Sequence, residues 1–174
     1  MSQTTALLII DAQLNMFDEN HPIYKAEGLL QNLQTLISKA SKAAIPVFFV
    51  QNNGGVNEPD EPSTPGWLIH PALAPSNNDN LIQKTTENAF YQTSLKQKLD
   101  ELAVKRLVIA GMQTDFCVNA TTRGAVALGY EVILVSDAHS TFDSSNLSAS
   151  QIIDQHNVAF GKLGKLLTTS QVGF

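Results

Sequence analysis

Three side chains in this sequence have the types needed for nucleophilic chemistry on a carbonyl. Cys117 is the only cysteine in 174 residues. A sulfur nucleophile needs a base to take its proton and a charged neighbour to steady the change in charge. Asp11 closes the apolar run of residues 5–10, Lys84 ends the weaker run Leu81–Lys84, and Cys117 lies six residues past Gly111, which closes Arg106–Gly111. With Thr114 as an N-cap, Cys117 would occupy the third position of a helix. Free N–H groups and the macrodipole there favour a thiolate and could hold an oxyanion. Each residue also has an ordinary reading: a small buried hydrophobe for Cys117, a strand-end cap for Asp11, a solvated cation for Lys84.

The elements that must position these residues are legible as apolar runs. Thr5–Ile10, Pro46–Gln51, Leu81–Lys84, Arg106–Gly111, Glu131–Ser136 and Lys165–Thr169 read as strands, and their unbroken apolar character requires a sheet covered on both faces. Between them, Leu29, Leu33, Leu36, Ile37 and Ala40 repeat at helical spacing. Ser94 with Gln97, and Ser148 with Gln151, are capping-box patterns that open helices to Leu102 and about Lys162. Thr114–Leu128 reads as a further helix stopped by Gly129. Alternating strands and helices predict a doubly wound α/β domain, residues 1–174 forming one unit. Ligands bind such sheets outside the carboxyl ends of the strands, where Asp11, Lys84 and Cys117 all fall.

The stretch from Asn52 to Asn80 breaks the rhythm: it holds Asn-Asn-Gly-Gly, and five of the seven prolines lie between Pro59 and Pro75. It reads as a long packed loop around the sole tryptophan, Trp67. Phe17, Trp67, His70, Phe90 and Phe142 are candidates for the walls of a pocket, with core packing as the plain role of the aromatic rings. Asp137–Asp143 is a second polar cluster at the same edge, with loop capping as its plain role. His21, His70, His139 and His156 show no metal-ligand spacing.

Composition narrows the function further. A formal net charge of −5 argues against nucleic acid, and no apolar run is long enough to cross a membrane. A start without a basic leader and a single cysteine fit a cytoplasmic chain, and one thiol cannot form a resolving disulfide with itself, which disfavours a redox sensor.

Four segments resemble the isochorismatase-like cysteine hydrolase family. They are Leu-Leu-Ile-Ile-Asp-Ala-Gln at 7–13, Lys84 with Asn88-Ala89-Phe90 and Thr93-x-Leu95, Ala110–Val118, and Val135–Ala138. The resemblance runs from about Thr5 to Lys165. It implies a six-stranded parallel sheet with helices on both faces and an Asp11–Lys84–Cys117 triad. It also implies a cis peptide between Met112 and Gln113, and an oxyanion hole from the Gln113 and Cys117 N–H groups. Gln13, Phe17, Trp67, His70 and Phe90 are then candidate substrate-binding residues. Dimers or tetramers of the chain are implied too. Metal-dependent nicotinamidases of the family carry Asp-x-His after strand two, whereas this chain reads Gln51-Asn52-Asn53-Gly54-Gly55. No metal and no cofactor are therefore expected. Cys117 itself argues against vinyl-ether cleavage, because isochorismatases proper lack it. The reading that follows is a metal-independent cysteine hydrolase of a small amide, N-carbamoyl or related C–N bond. The alternatives are a low-turnover binding protein on the same fold, or an isochorismatase-type hydrolase of another small substrate.

Overall fold

A computed structural model describes residues 4–73, 75–76 and 79–174. Six parallel strands, β1 (Thr5–Ile10), β2 (Val47–Asn52), β3 (Asn80–Lys84), β4 (Arg106–Met112), β5 (Glu131–Ser140) and β6 (Lys165–Leu167), form one sheet in the order β3-β2-β1-β4-β5-β6. The strand order reverses between β1 and β4, and a crevice opens at such a switch point. Side chains alternate across β1. Leu7 and Ile9 join the core under α1 (Ala26–Lys42), together with Leu33 and Leu36. Ala6, Leu8 and Ile10 join the opposite core, with Leu95 and Leu99 of α2 (Leu95–Glu101), Ala125 of α3 (Asn119–Ala127) and Phe160 of α4 (Ala149–Phe160). Each fully buried Leu or Ile contributes about 2 kcal/mol, so the two cores fix the strand register that the site depends on.

Local departures from the expected elements have physical causes. The segment expected as one helix from Thr114 splits into a π-turn, Thr114–Val118, and α3. Val118 N–H donates five residues back to Gln113 C=O at 3.1 Å, and Gln113, not Thr114, holds the cap position. Thr114 is instead buried, its hydroxyl 2.9 Å from His139 Nδ1. Ser94 makes no side-chain cap; Thr93 Oγ1 accepts from Leu95 N–H at 3.2 Å in its place. Ser148 and Gln151 do form the reciprocal capping box. Strand β5 runs on to Ser140 because, past a register shift, His139 and Ser140 pair with Gly111 and Met112. Gly111 has φ 125°, and a Cβ there would fall 2.1 Å from Ile10 C=O. Only glycine lets the ends of β1 and β4 lie this close.

The long loop is tied down by one side chain. Gln13 Nε2 donates to Trp67 C=O at 2.9 Å and to Asn52 C=O at 3.0 Å, and its Oε1 accepts from Asn52 N–H at 2.8 Å. Gln51 Nε2 reaches the same Trp67 carbonyl at 2.8 Å, and Gln13 bridges Ile69 through the backbone.

Candidate active site

The carboxyl ends of β1, β3 and the segment after β4 bring Asp11, Lys84 and Cys117 together. Lys84 Nζ lies 2.9 Å from Asp11 Oδ2, 3.3 Å from Cys117 Sγ and 3.0 Å from Asn52 Oδ1. The three N–H donors of the ammonium are thereby used. Asn52 is its ladder neighbour, paired with Lys84 in the β2–β3 register. Asp11 sits at φ 48°, uncommon for a non-glycine, and is held there by its N–H on Val50 C=O at 2.9 Å and its own C=O accepting from Gln13 N–H at 2.8 Å. Its Oδ1 is buried without a hydrogen-bond partner.

Burial dominates the electrostatics. It raises Asp11 above the ordinary carboxylate range, against the pull of Lys84. It also works against the charge on Lys84, but Asp11 and Cys117 outweigh it and the ammonium is held more firmly than usual. The Cys117 thiol is pushed up to about 12, first by burial and then by the Asp11 charge, with Lys84 opposing. This favours a neutral resting thiol over the thiolate expected at a helix start. Desolvation and a facing carboxylate outweigh the first-turn dipole. Asp11 and Cys117 behave as a coupled pair that accommodates one negative charge beside one ammonium.

The Met112–Gln113 peptide is cis. Gln113 faces a cavity of about 360 Å³ that is also lined by Asp11, Asn15, Met16, His21, Asn52, Glu58, Pro59, Asp60, Phe116, Cys117 and Phe142. Thr141 Oγ1 donates to Asp115 Oδ1 at 2.6 Å, anchoring the turn that carries Cys117. His21 stacks on Phe142 with ring centroids 4.8 Å apart at the cavity wall.

The residues expected to bind substrate lie elsewhere in this chain. Gln13, Phe17, Trp67, His70 and Phe90 are absent from the cavity lining. Gln13 is the loop clamp described above. Phe17 packs edge-on against His70 at 4.9 Å, Phe90 stacks on Tyr130 at 5.9 Å, and Trp67 Nε1 donates to Asn53 Oδ1 at 2.8 Å. Those aromatic rings are taken up by packing partners, which sequence position does not reveal. Phe142, a candidate wall residue, does line the cavity, whereas Asn52, Asp60 and Phe116 were missed. Asn52 ends β2 at the same sheet edge, so the strand-end rule applied to every strand finds it; Asp60 sits in a loop with no periodic signal. Among the described residues, no three His, Cys, Asp or Glu side chains converge as metal ligands, and no helix is long and apolar enough to cross a membrane.

The Isochorismatase domain family matches residues 5–163. The chain belongs to the isochorismatase family. A streptothricin hydrolase from Streptomyces noursei is 34% identical over 138 residues, 79% of this chain and 50% of its own length. The chain thus spans about half the length of that relative. Nicotinamidase 3 from Arabidopsis thaliana is 28% identical over 176 residues, 92% of this chain and 83% of its own. The crystal structure of an isochorismatase family protein, 34% identical, superposes with a TM-score of 0.89 over 97% of this chain and all of that one. The expected six-stranded α/β architecture is the one this isochorismatase-family chain has.

Proposed function

We propose that this chain is a cysteine amidohydrolase cleaving a small amide, N-carbamoyl or related C–N bond through a thioester on Cys117. One observation carries the reading: a single buried ammonium, Lys84, touches both the Asp11 carboxylate and the Cys117 sulfur at the floor of a cavity. Because the resting thiol is neutral, Asp11 takes its proton as sulfur attacks the carbonyl carbon. The oxyanion is received by the Gln113 and Cys117 N–H groups. The C–N bond then breaks, and the Asp11 proton passes to the leaving nitrogen. Water, deprotonated by Asp11, attacks the thioester and releases the acid and the thiol. Lys84 keeps its proton throughout and balances whichever partner holds the negative charge. The names of the streptothricin hydrolase and nicotinamidase relatives support hydrolysis, the latter of an amide. We further take the working assembly to be a homo-oligomer in the cytoplasm, with no metal in the cycle.

A screen of small amides, N-carbamoyl amino acids and vinyl ethers, run against Cys117→Ala, tests this. Hydrolysis of a C–N substrate with a thioester adduct seen by mass spectrometry is expected. Activity retained in Cys117→Ala, or cleavage of vinyl ethers alone, overturns it.

A further inference from the structure

The cavity at Cys117 is lined by acceptors that nothing among the described residues satisfies. Asp60 is only 9% exposed, and its Oδ2 accepts from Asn52 Nδ2 at 2.7 Å. Among the described residues its Oδ1 takes no hydrogen bond and its carboxylate forms no ion pair. Asn15 Oδ1, in the same lining, is buried and unpartnered. Glu58 adds a second carboxylate to this wall. Lys84 cannot serve them, since Asp11, Asn52 and Cys117 already take its three protons. A nearly buried carboxylate that keeps one oxygen open to the cavity, with no counter-charge among the described residues, is a place that a ligand can complete.

The backbone makes room for this arrangement. A Cβ on Gly54 would lie 2.1 Å from Asp60 Oδ1, and one on Gly66 would lie 2.1 Å from Pro59 C=O. Two glycines therefore seat the Pro59–Asp60 corner against the cavity. Gly54 N–H also donates to Asp60 C=O at 2.9 Å, fixing the carboxylate's place. The field of Asp60 reaches the base, as it is among the charges that raise Asp11.

We propose that Asp60, supported by Glu58, is a specificity wall for an organic cation: the substrate carries an ammonium or guanidinium group, and anionic amides are refused. This rests on the amidohydrolase reading and names its substrate class. An ammonium or guanidinium brings both the missing donors and the missing charge. A metal ion fits less well, because no third Asp, Glu, His or Cys among the described residues joins the pair as a ligand.

Charged thiol probes test the wall without knowledge of the substrate. Methyl, 2-aminoethyl and 2-sulfonatoethyl methanethiosulfonate each form an S–S bond to a thiol, releasing methanesulfinate while the thiol proton goes to solvent. As Cys117 is the sole cysteine, every adduct reports on this cavity. Rates at pH 8 and low salt, each divided by the rate with 2-mercaptoethanol, should favour the aminoethyl over the sulfonatoethyl reagent by about tenfold or more. Asp60→Asn should remove most of that preference, and Glu58→Gln a smaller share. No preference, or the reverse, in the wild-type protein overturns the proposal, as does a preference unchanged in Asp60→Asn. If Asp60→Asn does not fold, the wild-type ratio and its fall in Glu58→Gln decide. A failed amide screen with the labelling preference intact would instead count against the hydrolytic reading alone.

Discussion

Two cavities of nearly equal volume lie at the same edge of the sheet. One, about 350 Å³, is bounded by α1, α4 and the end of β5; the other, about 360 Å³, holds Cys117. Both are lined by polar and titratable residues, but in the first Asn32, Asp137, His139 and Ser140 are bonded within the protein. Asp137 Oδ1 accepts from Thr169 N–H at 2.7 Å and from its hydroxyl at 2.8 Å. His139 is bonded through both ring nitrogens, to Thr114 and Asn157, each at 2.9 Å. Asn32 Nδ2 donates to Asp137 C=O at 2.6 Å, and Ser140 Oγ to Tyr24 C=O at 2.6 Å. At Cys117, by contrast, Asp11 Oδ1 and Asn15 Oδ1 are left without partners. Volume and polarity are shared; the completeness of the hydrogen bonding differs. A satisfied polar network specifies packing, and an unsatisfied one is poised for something not yet bound.

The largest contrast should appear in activity. Cys117→Ala and Asp11→Asn are expected to lower kcat/KM by about 10³-fold or more, with the folded state retained by circular dichroism. The same assay on His139→Gln should show less than about a tenfold change. A His139 variant that folds normally yet loses activity as fully as Cys117→Ala would erase the distinction between the cavities.

Stability comes next. Lys84→Met leaves Asp11 buried without its cation, and removing one partner of a buried pair costs about 3–5 kcal/mol. Denaturant titration should show that Asp11→Asn combined with Lys84→Met costs less than Lys84→Met alone.

Acid sensitivity should map to the other cavity. Burial lowers His139 from 6.5 to about 4, with His156 adding to the shift and Asn157 and Asp137 opposing it. Between those values the unfolded chain binds the proton and the folded chain does not. Stability is therefore full above pH 6.5 and falls as the pH drops toward 4, by about 3 kcal/mol from this group. Chemical denaturation of wild type and His139→Gln across that range checks this; equal acid losses would refute it.

The smallest signal concerns the thiol itself. With Cys117 held up to about 12, its alkylation by iodoacetamide in the absence of substrate should climb steadily through pH 9. A rate already level below pH 7 would mean a preformed thiolate and would return the nucleophile to the helix-dipole picture.

The strands and the meeting of Asp11, Lys84 and Cys117 were legible because both rest on simple patterns. Leu7–Ile10 and Val47–Val50 are unbroken apolar runs, and a two-faced core is what such runs need. Asp11 and Lys84 are the polar residues that end their strands, so the strand-end rule found them. Asp60 was not legible, since its burial comes from Gly54 and Asn52 through contacts that no period encodes. The continuation of β5 through Ser-Asp-Ala-His-Ser looked like a loop because polar residues break its apolar run, and the pairing of His139 and Ser140 past the register shift is a contact no pattern announces. That Phe17, Trp67 and His70 do not line the Cys117 cavity in this chain was not legible for the complementary reason: the Gln13 clamp fixes how the long loop packs, and a glutamine two residues after Asp11 does not announce that role.

Asn52 has a consequence for spectroscopy. Its Oδ1 faces the Lys84 ammonium at 3.0 Å while its Nδ2 faces the Asp60 carboxylate at 2.7 Å. Turned over, the amide would point hydrogens at a cation and oxygen at an anion, so both ends enforce one orientation. Its two Nδ2 protons should therefore give separate resonances that interchange slowly, with one shifted downfield by the carboxylate. Discharging either neighbour removes one of the two restraints and should move or merge those signals. A single side-chain amide thus acts as a built-in reporter, read from one nitrogen-15 label, of the ionisation state on both sides of the cavity.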